Sequence, residues 1–432
     1  MHITGIIAEY NPLHLGHKYH MEQTKAATGA DYIITILSGD YVQRGLPAIL
    51  DKHTRTRMAL NAGSDLVIEL PVPYALSSGE GFAFGGVSLL HQLGCVDSLS
   101  FGSEAGTEQL DQLVKIARVL QSEALFTADL MQTAEVTPYH AAYQSALKQG
   151  MTHPKARLHA LLKTHPELDT GVLDGHSNNM LALEYLKAIY RLESAIEPVT
   201  IERKGQAYLD DGVFPDNNVC TEKLTSRAFS SATAIRESLV RHNFETIFTQ
   251  VPSDVAEILM QAHSANTLIF AEDFSNLLHY KLLSLSKAAL TDYLEVTPDF
   301  ANKIAANLTA FKSFTQFANL LWTKDTTYAR VCRNLMNILL DIKADTWDVR
   351  EPVPYARVLG FRKESAPILS EIKKSSSIPL VTKLADAREF LEPDAYRLLE
   401  LDMKASHIYD SVVQQKAGRK TVHEMQKQIV IV

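Results

Sequence analysis

The chain has 432 residues, a formal net charge of −8 and a pI near 6.1. Hydrophobic residues make up 46% and charged residues 21%, a composition that excludes global disorder and predicts two or three domains. No apolar run approaches the ~20 residues of a membrane-spanning helix, and the N-terminus lacks the basic region of a signal peptide. Three widely spaced cysteines (Cys95, Cys220 and Cys332) give neither a disulfide framework nor a zinc pattern, which favours a reducing cytoplasm.

The charge is unevenly distributed along the chain. Residues 311–432 carry 19 basic and 15 acidic side chains, whereas the remainder carries 23 and 35. An acidic protein is an unusual partner for nucleic acid, because such proteins normally present a basic surface. The mildly basic last quarter is therefore a weak indication of where a polyanion would bind.

Short apolar runs and amphipathic stretches alternate over the first 120 residues. The predicted strands are Ile3–Ala8, Tyr32–Leu37, Leu66–Leu70 and Val96–Phe101, and the predicted helices are 15–28, Asp51–Ala62, Gly79–Leu93 and Glu108–Ser122. This alternation predicts a parallel sheet with helices on both faces. Ligands of such sheets bind at the carboxyl ends of the strands.

The rest of the chain is predicted to be largely helical. Residues 123–195 have a helical pattern, Glu197–Glu202 is a further candidate strand, and Ser230–Val240 is a helix. From about residue 240 onward the pattern is rich in Leu and Ala with few strand signals. The apolar segment Gln428–Val432 docks as a short strand or packs on a neighbouring element. We therefore expect one domain over 1–240, with a helical insertion at about 123–195, and a second over 241–432.

The most informative motif is His14-Leu15-Gly16-His17, between the first predicted strand and the first predicted helix. Gly16 allows a phosphate to approach the backbone, and the helix N-terminus supplies free N–H groups and a positive dipole end. Two imidazoles there can donate hydrogen bonds to a phosphate whose charge grows during transfer. An isolated H-x-G-H has about even odds of being two surface histidines, but its place after the strand favours a site.

A second motif, Ser230–Arg236, opens a later helix. Ser and Thr at a helix start commonly do no more than cap backbone donors. Arg236, one turn into the same helix, adds a guanidinium to these hydroxyls. Hydroxyls and a guanidinium at a helix N-terminus together form a clamp for a polyphosphate.

Together these motifs resemble the nucleotidyltransferase superfamily, whose members combine H-x-G-H with a late S/T-x-x-x-R motif. Further segments narrow the match: Glu9–Pro12, Ser38–Gly45, Ser100–Glu104, Asn178–Leu181, Ser231–Arg236 and Arg357–Phe361. This set resembles the bacterial tRNA(Met) cytidine acetate ligase family, essentially from end to end. The resemblance implies a Rossmann-like α/β domain with a parallel sheet, followed by a mostly α-helical C-terminal domain that holds tRNA.

The same resemblance implies a reaction. ATP and acetate form acetyl-adenylate and release pyrophosphate, and the acetyl group passes to N4 of the wobble cytidine of elongator tRNA(Met). The expected substrate ATP is accompanied by Mg²⁺, and the expected location is the cytoplasm. Two other functions stay open: a small-molecule adenylyl- or cytidylyltransferase, and a nucleotide-binding module without catalysis.

The resemblance also implies roles for individual residues. The segment Ile7–His20 is the ATP-binding loop, in which His14 and His17 are catalytic and contact phosphate. The residues implied to bind ATP are Ile7, Tyr10, Asn11, Gly16, His20, Gly102, Asn178, Asn179, Arg203, Ser231, Thr233 and Arg236. The pattern does not decide which of Asn178 and Asn179 contacts the nucleotide.

Charged residues outside these motifs are weaker candidates. Glu104, close to Gly102, is a candidate ligand for Mg²⁺ bound with ATP. Gln43, Arg44 and Lys52 follow the second strand, where a solvated loop is a commoner arrangement than a binding site. Arg330 and Arg333 lie on one side of an amphipathic helix and are candidate contacts for tRNA phosphates.

Overall fold

The computed structural model describes residues 1–104, 109–124, 137–151, 153–173, 177–202, 230–324 and 326–432. Its strands are β1 (Ile3–Ala8), β2 (Tyr32–Ser38), β3 (Tyr41–Val42), β4 (Leu46–Pro47), β5 (Leu66–Leu70), β6 (Ser98–Ser103), β7 (Glu197–Glu202), β8 (Ala356–Phe361), β9 (Leu380–Val381) and β10 (Val430–Ile431). Its helices in the first 250 residues are α1 (Leu15–Thr28), α2 (Lys52–Ala62), α3 (Val72–Ala75), α4 (Gly79–Gln92), α5 (Leu110–Ala124), α6 (Pro138–Lys148), α7 (His153–Thr164), α8 (Ser177–Arg191), α9 (Ala232–Val240) and α10 (Phe244–Gln250). The later helices are α11 (Ser253–Ser264), α12 (Ser275–Ser284), α13 (Pro298–Asn307), α14 (Phe314–Leu321), α15 (Tyr328–Leu340), α16 (Pro367–Ser375) and α17 (Pro393–Ala417).

Eight of the strands in the described residues form one sheet in the order β10-β8-β5-β2-β1-β6-β7, with β9 beside β8. Neighbouring strands are parallel except β5 and β8, which are antiparallel. From β1 the chain runs outward to β2 and β5 on one side and later to β6 and β7 on the other. The sheet therefore has its topological switch point at β1, where ligands of such sheets bind.

Helices cover both faces of this sheet, as the sequence predicts. Alternate residues of β2 enter different cores: Ile34 and Ile36 join a core that includes α4, α5 and α8, whereas Ile33 and Leu37 join a core with α1, α2, α9 and α11. This follows from the two-residue period of a strand. A third core lies between α12, α14, α15 and α17 and is built from helices.

The predicted elements agree closely with the structure. Three strands are confirmed to the residue: Ile3–Ala8, Leu66–Leu70 and Glu197–Glu202. The strand predicted at Val96–Phe101 begins instead at Ser98, because Asp97 forms a loop whose carboxylate accepts a hydrogen bond from the Ile3 amide at 2.7 Å. The apolar segment after residue 428 does dock as a strand, β10.

The expectation of few strands beyond residue 240 is wrong at one important position. β8 (Ala356–Phe361) was not predicted, yet it pairs with β5 and extends the sheet begun by the first residues. The predicted domain boundary at residue 240 therefore does not mark the end of the sheet. The tRNA-binding role expected for 241–432 stays a prediction.

Buried charges attach this late strand to the early ones. We call Lys52, Glu69, Arg357 and Glu424 the ion network. The Lys52 Nζ lies 2.7 Å from Glu69 and 2.9 Å from Glu424, and the Arg357 guanidinium lies 2.7 and 2.6 Å from the same two carboxylates. All four side chains are buried. Lys52 is therefore an interior residue, and the expectation of a solvated loop is wrong for it.

No helix within the described ranges is both long and apolar enough to cross a bilayer. The amino-acid sequence likewise contains no long apolar run.

Candidate active site

A cavity of about 690 Å³ opens at the carboxyl ends of β1, β6 and β7. It lies at the switch point of the sheet, and its walls carry most of the residues that the sequence singled out. The predicted site residues that line it are Ile7, Tyr10, Asn11, His14, Gly16, His17, His20, Gly102, Asn178, Ser231, Thr233 and Arg236. Residues from positions 7 to 236 thus converge on one space large enough for a nucleotide.

His14 and His17 form the start of α1. The Gly16 amide donates to His14 Nδ1 at 3.1 Å, and the His14 amide donates to His17 Nδ1 at 3.3 Å. The two rings stack with centroids 3.6 Å apart. Because each Nδ1 accepts a hydrogen bond, each neutral ring carries its proton on Nε2. The capping arrangement therefore gives both histidines an Nε2–H donor.

Neighbouring residues hold these rings in place. The Tyr10 ring is buried and meets the His17 ring edge-on at 5.0 Å between centroids. His20, one turn after His17, lies with Nε2 3.0 Å from Ser100 Oγ in β6. The start of α1 is therefore held against the loop that follows β1 and against β6.

A second helix N-terminus faces the same cavity. Ser231 caps α9, and its Oγ accepts a hydrogen bond from the Ala234 amide at 3.2 Å. Arg236 donates to the Asn11 carbonyl at 2.6 Å and to Thr233 Oγ1 at 3.0 Å. Burial lowers the pKa of Arg236 to about 10, which still leaves the guanidinium charged at neutral pH. This wall presents a helix dipole, hydroxyls and a fixed positive charge.

Asn11 connects the two halves of the site. Its side-chain Oδ1 accepts a hydrogen bond from the Ile49 amide at 2.9 Å, and its carbonyl accepts from Arg236. The backbone that leads from β1 to α1 is thereby attached to α9.

The two adjacent asparagines have different surroundings. Asn179 is buried away from the cavity, where its Oδ1 accepts from Ser103 Oγ at 2.7 Å and from the Glu104 amide at 3.1 Å, and its Nδ2 donates to the Val172 carbonyl at 2.7 Å. Asn178 lines the cavity. Of the pair, Asn178 is thus the one placed to touch a ligand.

Glu104, the candidate ligand for Mg²⁺, is held by hydrogen bonds beside the cavity, and its role stays a prediction. Its carboxylate accepts hydrogen bonds from the Asn178 side chain and from the Asn179 amide at 3.2 Å, and it does not line the cavity. Across the described part of the chain, no group of three or more His, Cys, Asp or Glu side chains could hold a metal ion. Arg203 lies outside the described residues.

The two arginines predicted to contact tRNA also differ in their surroundings. Arg330 is exposed near the start of α15. Arg333 is buried, with Nε 3.3 Å from Glu295 Oε2. α15 lies in the middle of the third core, so only its first turn reaches solvent. The prediction that Arg333 contacts tRNA phosphates is therefore wrong.

The cavity also contains charged residues that were not among those predicted to bind ATP. Glu9 follows β1 and Arg44 lies between β3 and β4, and Arg157 and Glu184 form an ion pair at 3.2 Å on another part of the wall. The position of Gln43 and Arg44 just after a strand was the available signal, and we expected a solvated loop there. No sequence signal separates Arg157 from other helical arginines.

The chain is similar to known proteins over almost its whole length. The family model of the HIGH nucleotidyl transferases matches residues 1–424. A tRNA(Met) cytidine acetate ligase of Clostridium perfringens is 38% identical over 417 residues, which cover 95% of each chain. One of Thermoanaerobacter pseudethanolicus is 36% identical over 430 residues, or 99% of this chain and 100% of the relative.

Solved structures show the same fold throughout. The crystal structure of Thermotoga maritima TmcAL bound with alpha-thio ATP superposes with a TM-score of 0.86 at 27% identity, and the coverage is 100% of both chains. The apo form of that protein gives a TM-score of 0.88 with the same identity and coverage. The similarity therefore includes the late strand and the helical layers as well as the first sheet.

Proposed function

The chain belongs to the HIGH nucleotidyl transferases and, among them, to the tRNA(Met) cytidine acetate ligase family, and we propose that it activates acetate with ATP and acetylates elongator tRNA(Met). The acetyl group would pass to N4 of the wobble cytidine. The observation that carries the proposal is the single cavity in which the stacked His14–His17 pair and Arg236 face one space. Uncharged donors and a guanidinium around one space suit a polyphosphate.

In this proposal the phosphates of ATP lie between two helix N-termini. Ser231, Thr233 and Arg236 on α9 hold the β- and γ-phosphates, and the start of α1 faces the α-phosphate. Mg²⁺ enters as part of the substrate MgATP, because it binds mainly through phosphates and waters with few protein ligands. That arrangement needs no preformed carboxylate cluster.

The first chemical step forms the mixed anhydride. An acetate oxygen attacks the α-phosphorus in line, the bond from that phosphorus to the bridging oxygen breaks, and pyrophosphate leaves. The Nε2–H groups of His14 and His17 stabilise the negative charge that develops on the phosphate oxygens. The protein supplies orientation and charge here, and no covalent nucleophile is needed.

The second step transfers the acetyl group. The exocyclic N4 amine of cytidine attacks the acetyl carbon, the bond to the AMP oxygen breaks, and N4 loses a proton. The amine is a weak nucleophile, which explains why acetate must first be activated. A wobble base belongs to a single-stranded loop and can be turned outward into a protein site.

Further residues are assigned to the nucleotide in this proposal. Ile7 and Gly102 lie on the cavity wall at the ends of β1 and β6, Asn178 donates to the nucleotide, and Gly16 leaves room for the phosphate. Tyr10 and His20 fix the histidine-bearing turn. Asn11 acts through its carbonyl, by holding Arg236.

The tRNA is proposed to bind along the helical layers that follow α9. The excess of basic residues in 311–432 supports this placement, and Arg330 is the exposed member of the arginine pair. Replacing Arg330 by Ala should weaken tRNA binding by a factor that shrinks as salt is raised, because each phosphate contact releases counterions. Affinities measured at two salt concentrations test this placement.

The decisive experiment measures ATP–pyrophosphate exchange with and without acetate. Exchange that requires acetate supports adenylate formation. Exchange only with another small molecule would favour a small-molecule nucleotidyltransferase, and no exchange despite ATP binding would favour a non-catalytic module. Mass spectrometry of the wobble cytidine in elongator tRNA(Met), after incubation with ATP and acetate, then tests the RNA target separately.

A further inference from the structure

The hairpin β3–β4 connects the cavity with the helical layer. Its two short strands pair Tyr41 with Pro47 and Val42 with Leu46. The turn between them contains Gln43, Arg44 and Gly45, and the first two line the cavity. The opposite side of the turn lies against α15, almost 300 residues further along the chain.

Gly45 allows this close approach. It has a φ of +75°, and a Cβ atom there would lie 2.7 Å from the Arg333 Cα and even closer to the Arg333 nitrogen. A side chain at position 45 would therefore collide with backbone that cannot move aside. The turn thus packs directly on the main chain of α15.

Arg333 holds the same turn through its side chain. Its Nη1 donates to the Gln43 carbonyl at 3.5 Å, and its Nε pairs with Glu295. From the β1 side, Glu9 Oε1 accepts a hydrogen bond from the Gln43 amide at 2.7 Å. The peptide that precedes Arg44 is thereby held from both sides, by residues that are distant in the sequence.

Arg44 brings a second positive charge to the cavity wall. Arg44 and Arg236 line the same cavity, the first on the hairpin and the second on α9. Burial is the main cause of the lowered pKa of Arg236, while the carboxylate of Glu9 raises this pKa and the positive charge of Arg44 lowers it. A polyphosphate carries several negative charges, so it can contact both guanidinium groups beside this one carboxylate. A phosphate is the anion that guanidinium geometry suits best.

We propose that Arg44 binds the β- or γ-phosphate of ATP and that Arg333 is a positioning residue that holds Arg44 there through the Gln43–Gly45 turn. The proposal rests on the proposed binding of ATP. It explains why an arginine in the helical layer is buried, and it assigns Arg333 to the nucleotide site. A terminal phosphate is favoured over acetate because Arg44 lines the same cavity as Ser231, Thr233 and Arg236, the residues proposed to hold the β- and γ-phosphates.

The test compares the affinities for ATP and AMP, measured by calorimetry on the full chain. Arg44→Gln should weaken ATP binding by about 10- to 100-fold, the range expected for a lost charge-assisted hydrogen bond, and leave AMP binding within about twofold. Arg44→Lys should recover part of the loss, because it restores the charge without the planar fork. Arg397→Gln, in an exposed ion pair on α17, is the matched control and should leave both affinities unchanged.

A double-mutant cycle tests the role of Arg333. If Arg333 acts through Arg44, Arg333→Gln should weaken ATP binding in the wild-type chain and have no further effect in the Arg44→Gln chain. Its tRNA affinity should be unchanged at low salt. Additive losses, or an equal loss of AMP affinity, would show that Arg333 is merely structural and overturn the assignment. If Arg333→Gln does not fold, Arg333→Lys serves in the same cycle.

The outcomes separate this inference from the proposed function. Wild-type protein that binds neither ATP nor AMP contradicts the nucleotide site itself. Wild-type protein that binds ATP more tightly than AMP, with Arg44→Gln retaining the same preference, overturns the role of Arg44 and leaves the proposed function intact.

Discussion

Two sets of cations lie near the carboxyl ends of the central strands: the buried cations of the ion network and the half-buried Arg236 at the cavity wall. They differ in the groups that they contact. In the ion network, Lys52 and Arg357 each contact two carboxylates within 2.9 Å. In the cavity wall, Arg236 donates to a carbonyl and a hydroxyl, neither of which is charged. A buried cation that is matched by two carboxylates in direct contact needs no further partner, whereas Arg236 donates only to uncharged acceptors and has the charge of Glu9 nearby, which leaves it able to bind a polyphosphate.

The comparison separates a structural charge from a functional one by its partners as well as by its exposure. Both sets bring together distant parts of the chain. Loss of a charge from the ion network should therefore lower the stability of the fold, and loss of a group at the cavity should lower activity with little change in stability. The following predictions test that distinction.

The largest effect is expected for Glu424→Ala. It leaves Lys52 and Arg357 each short of one carboxylate in a dry interior, and it should lower the free energy of unfolding by about 3–5 kcal/mol. Urea denaturation measures this loss. Glu364→Ala, in an exposed pair with Arg362, is the control and should change little. A loss at Glu424 as small as the control would mean that the network is not structural.

The same network predicts a pH dependence. Burial alone would raise the pKa of Glu424, but Lys52, His53, Arg357 and Lys427 together hold it well below its usual range. A depressed carboxylate pKa stabilises the fold above the unfolded value of roughly 4.3, and the stabilisation is lost as the pH falls below it. The wild-type chain should therefore lose more stability on acidification than Glu424→Ala.

In contrast to Glu424→Ala, His17→Ala should lower activity and leave stability almost unchanged. It removes an Nε2–H donor and the stacking partner of His14, so acetate-dependent pyrophosphate exchange should fall by about 10²–10³-fold. The unfolding midpoint should stay close to that of the wild type. His159→Ala, at an exposed position on α7, should leave exchange unchanged. Unaltered exchange in His17→Ala would contradict the proposed catalytic role.

The adjacent residues Asn178 and Asn179 allow the same comparison between a group at the cavity and a group in the interior. Asn179→Ala leaves the Glu104 amide and the Val172 carbonyl without partners in the interior, and it should cost about 1–3 kcal/mol of stability. Asn178→Ala should weaken ATP binding with a smaller effect on stability. Thermal unfolding and ATP titration of both variants test the assignment, which an exchange of the two results would contradict.

A last prediction concerns the pH dependence set by Asp402. Burial, with a further contribution from Glu69, raises the pKa of Asp402 to about 7. A raised carboxylate pKa gives stability that is complete below the unfolded value of roughly 3.9 and declines as the pH rises toward 7, by at most about 1.4 kcal/mol per pH unit. Asp402→Asn should lack this decline. Unfolding midpoints of the wild type and of Asp402→Asn, measured between pH 5 and pH 8, test this difference. The same dependence on pH in both chains would contradict the role of Asp402.

The sequence predicts the first sheet well because its strands are short apolar runs closed by Pro, Gly or Asn. It fails at β8, which contains the charged Arg357 and whose partner strand, β5, ends at residue 70. The pairing of two strands that are almost 300 residues apart leaves no pattern in the sequence near either strand. Only the ion network in the folded chain shows why an arginine can occupy an interior strand.

The site is predictable where a motif sets local geometry. The H-x-G-H turn determines its own capping bonds, so His14 and His17 could be assigned from four residues. The burial of an individual helical side chain could not be predicted in this way. Arg330 and Arg333 are three residues apart, and Asn178 and Asn179 are adjacent, yet packing against other elements places one of each pair in the interior.

The position of β8 also determines when the molecule can be completed during synthesis. β5 ends at residue 70, whereas its partner strand β8 begins only at residue 356. At the usual 5–20 residues per second, a ribosome needs about 15–60 s to supply it. During that time the nascent chain carries an open sheet edge, with Glu69 and Lys52 still lacking Arg357 and Glu424. The residues that line the cavity, from Ile6 to Ala271, are therefore all synthesised before β8, the strand that extends the sheet beside β5.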